Sequence, residues 1–344
     1  MHMADALITP LVGGTMWIAA AKTTSHSINK LKVELNDEKI PMMGVMGAFV
    51  FAAQMINFSI PGTGSSGHLG GGMLLAAILG PYAGFLAMAA ILTIQALFFA
   101  DGGLLALGCN IFNLGFYTCF IAYPYIYIGI LKRGYSTARI IGASTLSSVV
   151  GLQLGAFSVV AQTMLSGKIE LSFGAFTLLM QAIHLVIGLV EGLVTAAVIN
   201  YIWKARPELL DGAETADAKY NIPFKRVALV FILAALLIGG LLSWYASGNP
   251  DGLEWSLYNA AGQEEFANNG WLHERLEDLQ SRIAVLPDYG IKASEASSDS
   301  QKSLPPKVGT TIAGAAGVFI TLLLAVLAAV IIKLTARKSS KNNA

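Results

Sequence analysis

Charge is scarce in this chain of 344 residues. Asp, Glu, Lys and Arg together make up 12% of it, about half the share of a typical soluble domain, which argues against an ordinary water-soluble fold. The 22 Lys and Arg nearly balance the 21 Asp and Glu, so no basic field exists to hold nucleic acid. Only two cysteines occur, Cys109 and Cys119, both in apolar sequence. They are too far apart for a CxxC pair and have no His cluster beside them, so they read as small hydrophobes and no disulfide framework follows. A G-x-x-x-x-G-K-[ST] phosphate loop is missing, which excludes ATP binding in the P-loop manner, and no motif favours a catalytic mechanism. The start lacks a basic segment before its apolar run and a small-residue cleavage site, so it is not read as a secretory signal peptide. Met1 and His2 are therefore expected to persist.

What the chain has in excess is apolar sequence: 55% of residues are hydrophobic and mean hydropathy is +0.62. A helix needs about 20 mostly apolar residues to span the hydrocarbon. Eight windows suit a crossing: Ile8–Ala21 with its continuation, Met42–Ile60, Tyr82–Ala100, Leu104–Leu131, Ile140–Leu165, Phe173–Trp203, Val227–Tyr245 and Thr310–Ile332. A ninth piece, Leu69–Gly80, is too short to cross alone as an α-helix. Basic residues gather at Lys30, Lys32 and Lys39, at Lys132 and Arg133, at Lys204 and Arg206, and at Lys333, Arg337, Lys338 and Lys341. The positive-inside rule puts all four clusters in the cytoplasm. The path from an external His68 to an internal Lys132 then needs an odd number of crossings. Leu69–Gly80 must count as a half-helix or thin crossing, and its Gly70, Gly71, Gly72 and Gly80 suit a broken helix buried in protein.

The expected fold is therefore all-α. It is a polytopic membrane helix bundle in the cell inner or plasma membrane, with one short or broken crossing, an extracytoplasmic N-terminus and a cytoplasmic C-terminus. Residues 204–224 form a cytoplasmic linker, and an extracytoplasmic insert, residues 247–307, separates the last two helices. The insert holds 10 of the 21 acidic residues and 5 of the 22 basic ones, so it belongs in water rather than lipid. Within it, Trp271 to Ile283 has enough spaced apolar residues for a short amphipathic helix.

Histidine is rare as well, at five residues, and this topology puts His2 and His68 on the same outer side. The free amine of Met1, the amide nitrogen of His2 and its imidazole form a chelate of three nitrogens, and His68 would complete a plane. Four planar nitrogens suit Ni(II) or Cu(II), whereas Zn prefers a tetrahedron and Mg or Ca prefers oxygen. The alternatives at this point are a frayed surface His2 and a flexible external linker around His68. Ser65, Ser66 and Asn57 are candidates to hold a ring nitrogen in place. Asp5 and Asp101 lie near outer ends, and Gln54, Gln95 and Asn110 are polar within or beside apolar windows; supporting or helix-fastening roles fit these better than direct ligation. His184 and Glu191, seven residues apart, are expected as a satisfied core pair, and His273 as a solvated residue.

Several blocks carry a resemblance. Met1-His2-Met3-Ala4-Asp5-Ala6-Leu7, Ala52–Phe58, Ser66-Gly67-His68-Leu69-Gly70-Gly71, Gln95–Gly103, Gly108–Asn113 and Glu191–Thr195 occur in this order. Together they resemble the membrane substrate-binding component of energy-coupling-factor cobalt/nickel transporters, over roughly residues 1–203. Asn249-Pro250-Asp251-Gly252-Leu253-Glu254-Trp255, followed by Leu286-Pro287-Asp288-Tyr289, resembles the small two-helix accessory component with a PDGLE-type segment, fused here as residues 225–344. The resemblance implies metal ligation by Met1, His2 and His68, and a non-enzymatic role: capture and uptake of Ni(II), with Co(II) as the alternative. It also implies a transmembrane scaffold subunit and two ATPase subunits as partners. The start departs from the Met-His-Ile-Pro-Asp-Gly pattern common in cobalt members, and the fusion looks more like the nickel ones. An autonomous divalent-metal permease or sensor is the reading from another class.

Overall fold

The computed structural model describes residues 1–34, 39–210, 222–262, 266, 270–291 and 306–342. Helices follow one another along the apolar windows, except that Met42–Ile60 is helical only to Gln54 and ends in a strand, Phe58–Ile60. They are α1 (Pro10–Glu34), α2 (Lys39–Gln54), α3 (Gly72–Leu79), α4 (Pro81–Phe98), α5 (Leu107–Ile111), α6 (Ile128–Leu131), α7 (Thr137–Ser166), α8 (Phe173–Ala205), α9 (Phe224–Gly240), α10 (Gly252–Ala261), α11 (Trp271–Ile283) and α12 (Pro306–Asn342). A π-helical stretch, Phe112–Tyr127, joins α5 to α6 into one rod. Among the described residues six rods are long and apolar enough to cross a bilayer: Pro81–Phe98, Leu107–Leu131, Thr137–Ser166, Phe173–Ala205, Phe224–Tyr245 and Lys307–Ala336. Leu178, Leu185, Leu189 and Leu193 on α8 stand exposed, as do Phe319, Leu323, Leu327 and Ile331 on α12. Such rows of large apolar side chains facing outward are the surface a helical protein presents to lipid. The chain is a multi-pass membrane protein.

The irregular piece between α2 and α4 is built as its glycines dictate. Eight-residue α3 is buried along its whole length, so protein rather than lipid surrounds the broken crossing. It is entered through Gly71 at φ 78 and left through Gly80 at φ 81, both positive, and Pro81 opens α4 with its φ already set for a helix. Ahead of α3 a short antiparallel hairpin, which the loop composition did not suggest, pairs Phe58 with Gly67, Ser59 with Ser66 and Ile60 with Ser65.

α7 and α8 form the most extensive helix pair, while α9 and α12 pack on α2 and so fasten the C-terminal helices to the N-terminal bundle. The amphipathic helix expected at Trp271–Ile283 forms there as α11. Gly188 and Gly192, one turn apart on α8, press on the α7 backbone: an added Cβ would meet Val149 Cα at 2.9 Å and Thr145 Cα at 2.3 Å. Small residues at this spacing permit close approach of helices in lipid. Gly192→Leu is expected to cost about 1–3 kcal/mol through overpacking, read as a lower thermal unfolding midpoint in detergent; an unchanged midpoint would mean that the two helices do not meet there.

Candidate metal centre

The first nine residues run through the bundle and are pinned repeatedly. Met3 N donates to Asn110 Oδ1 at 2.8 Å and Asn110 Nδ2 donates back to Met3 O at 3.2 Å. Gly103 N also donates to Met3 O, at 2.9 Å. Buried Asp5 accepts from Ala106 N at 2.9 Å. Burial raises the Asp5 carboxyl pKa, partly offset by such main-chain donors. His273 of α11, expected in solvent, is instead 3% exposed, with Nε2 at 2.9 Å from Ile8 O. The insert therefore folds back over the N-terminal segment.

These contacts bring the chain start to His68. The Met1 amine lies 3.4 Å from His68 Nε2 and 3.1 Å from Asp251 Oδ2. His68 Nδ1 is 3.0 Å from Leu69 O. A carbonyl only accepts, so Nδ1 carries the proton and Nε2 turns its lone pair toward the amine. The His2 ring stacks on that of His68 with centroids 5.0 Å apart and an interplanar angle of 19°. Its Nδ1 is 3.4 Å from Asp101 Oδ1, and its Nε2 is buried without a hydrogen-bond partner. Among the described residues no three His, Cys, Asp or Glu side chains gather around one point.

A polar chain supports the rings. Tyr289 Oη donates to Asp101 Oδ2 at 2.6 Å, and Gln95 Nε2 donates to Tyr289 Oη at 3.3 Å and to Gln54 Oε1 at 2.9 Å. Gln54 Nε2 then donates to Gly70 O at 2.7 Å, while Gly70 N donates to Glu191 Oε2 at 2.6 Å. Asp101 thus links His2 to Tyr289, and Gln95 links Tyr289 to Gln54. Glu191 and His184 are not each other's partners: Glu191 holds Gly70, and His184 Nδ1 is 2.7 Å from Met180 O. Ser65 and Ser66 do not hold the His68 ring. Ser65 Oγ pairs with Thr63 Oγ1 at 2.8 Å. Ser66 Oγ donates to Asn249 O at 2.8 Å and Ser66 N to Pro250 O at 2.8 Å, fastening the insert instead. The Asn57 carbonyl accepts from Ser247 N at 2.7 Å, and the residue lines a cavity of about 650 Å³ shared with His2, His68, Asp101, Asp251 and Tyr289.

Asp251 is the residue that sequence reasoning missed as a contact. It caps α10 in a reciprocal box with Glu254, and the same carboxylate meets the Met1 ammonium. Burial alone would raise the Asp251 carboxyl, but the ammonium and His68 outweigh it and hold it below the usual carboxylate range. Burial, aided by the ammonium and by His2, pushes the His68 imidazole down to about 3, and burial also lowers His2. Both rings are therefore neutral near neutral pH, the state in which imidazole ligates.

Residues 2–209 match the family of the cobalt uptake substrate-specific transmembrane region. The chain belongs to that family. Residues 225–334 match the PDGLE domain. A protein of Archaeoglobus fulgidus described as a fused nickel transport protein is 32% identical over 324 residues, 94% of this chain and 96% of the relative. A metal transport protein of Haloquadratum walsbyi is 38% identical over 210 residues, 61% of this chain and 93% of its own. A crystal structure of a transition metal transporter aligns at a TM-score of 0.53 and 29% identity, covering 59% of this chain and 93% of that one.

The buried imidazole has a consequence for stability. An unfolded chain protonates His68 near the ordinary 6.5, the folded one only near 3, so between those values the unfolded state binds the extra proton and stability falls as pH drops. Unfolding midpoints of metal-free protein are expected to decline from pH 6.5 toward 3, less steeply in His68→Gln; equal slopes would put the ring in water.

Proposed function

We propose that this protein captures Ni(II) outside the cell and is the substrate-specific, non-enzymatic component of an ATP-driven energy-coupling-factor importer. Met1 and His68, 67 residues apart, meet at 3.4 Å with the His2 ring stacked alongside; that meeting carries the reading. The Met1 amine, the His2 amide nitrogen and imidazole, and His68 Nε2 are the donors in this reading. A metal able to displace an amide proton would be held in a plane, as Ni(II) prefers. Fusion of the two matched regions, shared with the Archaeoglobus fulgidus relative, supports nickel ahead of cobalt.

Ion would enter through the cavity that His2, Asp101 and Asp251 line, where carboxylates favour a hydrated cation. Asp251 steadies the amine from the accessory segment, so residues 225–344 complete a site built mainly by residues 1–203. Asp5, Gln95 and Asp101 position the N-terminal donors in this reading. The N-terminus lies outside the membrane and the C-terminus in the cytoplasm, joined to a transmembrane scaffold and two ATPase subunits that hydrolyse ATP.

X-ray absorption at the nickel edge on protein with an unblocked start is expected to report a nitrogen-rich first coordination sphere. His2→Ala and a short Gly-Ser extension ahead of Met1 should each abolish that sphere and nickel uptake; an oxygen-rich octahedron in the unaltered protein would refute the assignment. Cobalt gives the same donors, and competition between the two ions in uptake ranks them. Co-purification with an ATPase-bearing module is expected, whereas nickel movement by the chain alone in liposomes would mark an autonomous permease.

A further inference from the structure

α11 carries unlike strips along its length. His273, Leu276, Gln280 and Ala284 recur at helical spacing and turn inward, with His273 and Ala284 buried. They set the helix across the ends of α1, α7 and α4. His273 Nε2 reaches Ile8 O, two residues ahead of α1, and lies 3.2 Å from Lys168 Nζ, two residues beyond α7. Gln280 Nε2 donates to Ala96 O in α4 at 2.9 Å and to Gly102 O at 2.7 Å. On one flank stand Glu274, Glu277, Asp278 and Ser281, of which Glu277 and Ser281 border the 650 Å³ cavity. The other flank bears Trp271, Arg275, Leu279, Arg282 and Ile283 at steps of three and four. Trp271 is 75% exposed, and Leu279 and Ile283 are exposed with it. Arg282 pairs with Asp278 at 2.9 Å across the seam between the flanks. Acid therefore faces the cavity, and apolar surface set with arginine faces away from it.

That outer strip continues a belt around the ends of the membrane rods. Leu11 at the start of α1 and Leu165 at the end of α7 are exposed, and Thr9 N donates to Ser166 Oγ at 3.0 Å, which ties these two ends together beside His273. Exposed Val285 immediately precedes Leu286, whose N donates to Phe98 O at the end of α4. Where α9 ends, exposed Trp244 donates Nε1–H to Thr311 Oγ1 at 2.8 Å, with Lys307 Nζ 5.5 Å from its ring centre. Tryptophan and basic side chains at the ends of apolar rods mark the level where hydrocarbon gives way to headgroups. A single exposed leucine needs no explanation, but a row that runs on from lipid-facing rods does.

We propose that the Trp271–Ile283 strip of α11 rests in the headgroup layer of the bilayer, with Trp271, Leu279 and Ile283 against the upper acyl chains and Arg275 against the phosphates of anionic lipid. An amphipathic helix with basic residues beside its apolar side lies in the interface in this way, and anionic lipid attracts each arginine near the surface. The bilayer holds α11 from one side while His273 and Gln280 hold it from the other. The inference stands on the multi-pass fold and is independent of which ion is carried.

The test uses full-length protein in nanodiscs of phosphatidylcholine and phosphatidylglycerol whose acyl chains carry bromine either near the headgroup or near the chain end. Trp271 is one of five tryptophans, so its emission is read as the difference between unaltered protein and Trp271→Phe. Bromine near the headgroup is expected to quench that emission more than bromine at the chain end. Part of the quenching should be lost in discs of phosphatidylcholine alone and in Arg275→Gln, whereas Glu274→Gln on the cavity flank should keep it. Emission untouched by bromine and open to acrylamide puts the strip in water and overturns the proposal. Emission untouched by bromine and shielded from acrylamide only when other subunits are bound overturns it as well, because a protein then covers the strip. Should Trp271→Phe fail to fold, a nitroxide on Leu279→Cys reads the same depth: a label at headgroup level supports the lipid seat, and one in bulk water refutes it.

Discussion

A buried ammonium is costly in a membrane bundle unless it is paired and hydrogen-bonded, and the rest of the site follows from how this one is satisfied. The Met1 amine has the Asp251 carboxylate on one side and the His68 lone pair on the other. To deliver it there, Asn110, Gly103, Ala106 and His273 grip the first eight residues. To present the carboxylate, the insert returns to the bundle and begins α10 with Asp251 as its cap. The N-terminal bundle and the accessory segment thus meet at the amine that the proposed chemistry needs.

Much of the fold was legible because lipid imposes length and hydropathy on each crossing. The windows from Tyr82 onward reappear as rods, and charge parity alone demanded something between His68 and Pro81, where α3 is found. Other features had no periodic trace. The hairpin at residues 58–67 arises from main-chain pairing in a Gly/Ser stretch. The π-helical run Phe112–Tyr127 has the same apolar composition as an α-helix.

The site was half legible for a related reason. His2, His68, Gln95 and Asp101 are chemically conspicuous in apolar sequence; the structure brings His2, His68 and Asp101 to one cavity, and Gln95 to Tyr289 in its wall. Asp251 and Tyr289 belong to a polar insert where acids and tyrosines are unremarkable, and only folding puts them against residues some 190 to 250 positions away. The same folding explains the corrections: His273 left solvent because α11 covers the N-terminal segment, and Ser66 was diverted from the His68 ring to the carbonyls of Asn249 and Pro250.

One peptide unit has mechanical meaning beyond the site. Gly70 is held by its oxygen from Gln54 at the end of α2 and by its nitrogen from Glu191 in the middle of α8. Two rods therefore grip a single residue two positions beyond His68. Any sliding of α8 past α2 has to snap one of these bonds or drag the strand between them, so displacement of either rod is transmitted as a pull on the imidazole. The backbone there works as a tie-rod, binding both helices to the segment that carries the ring.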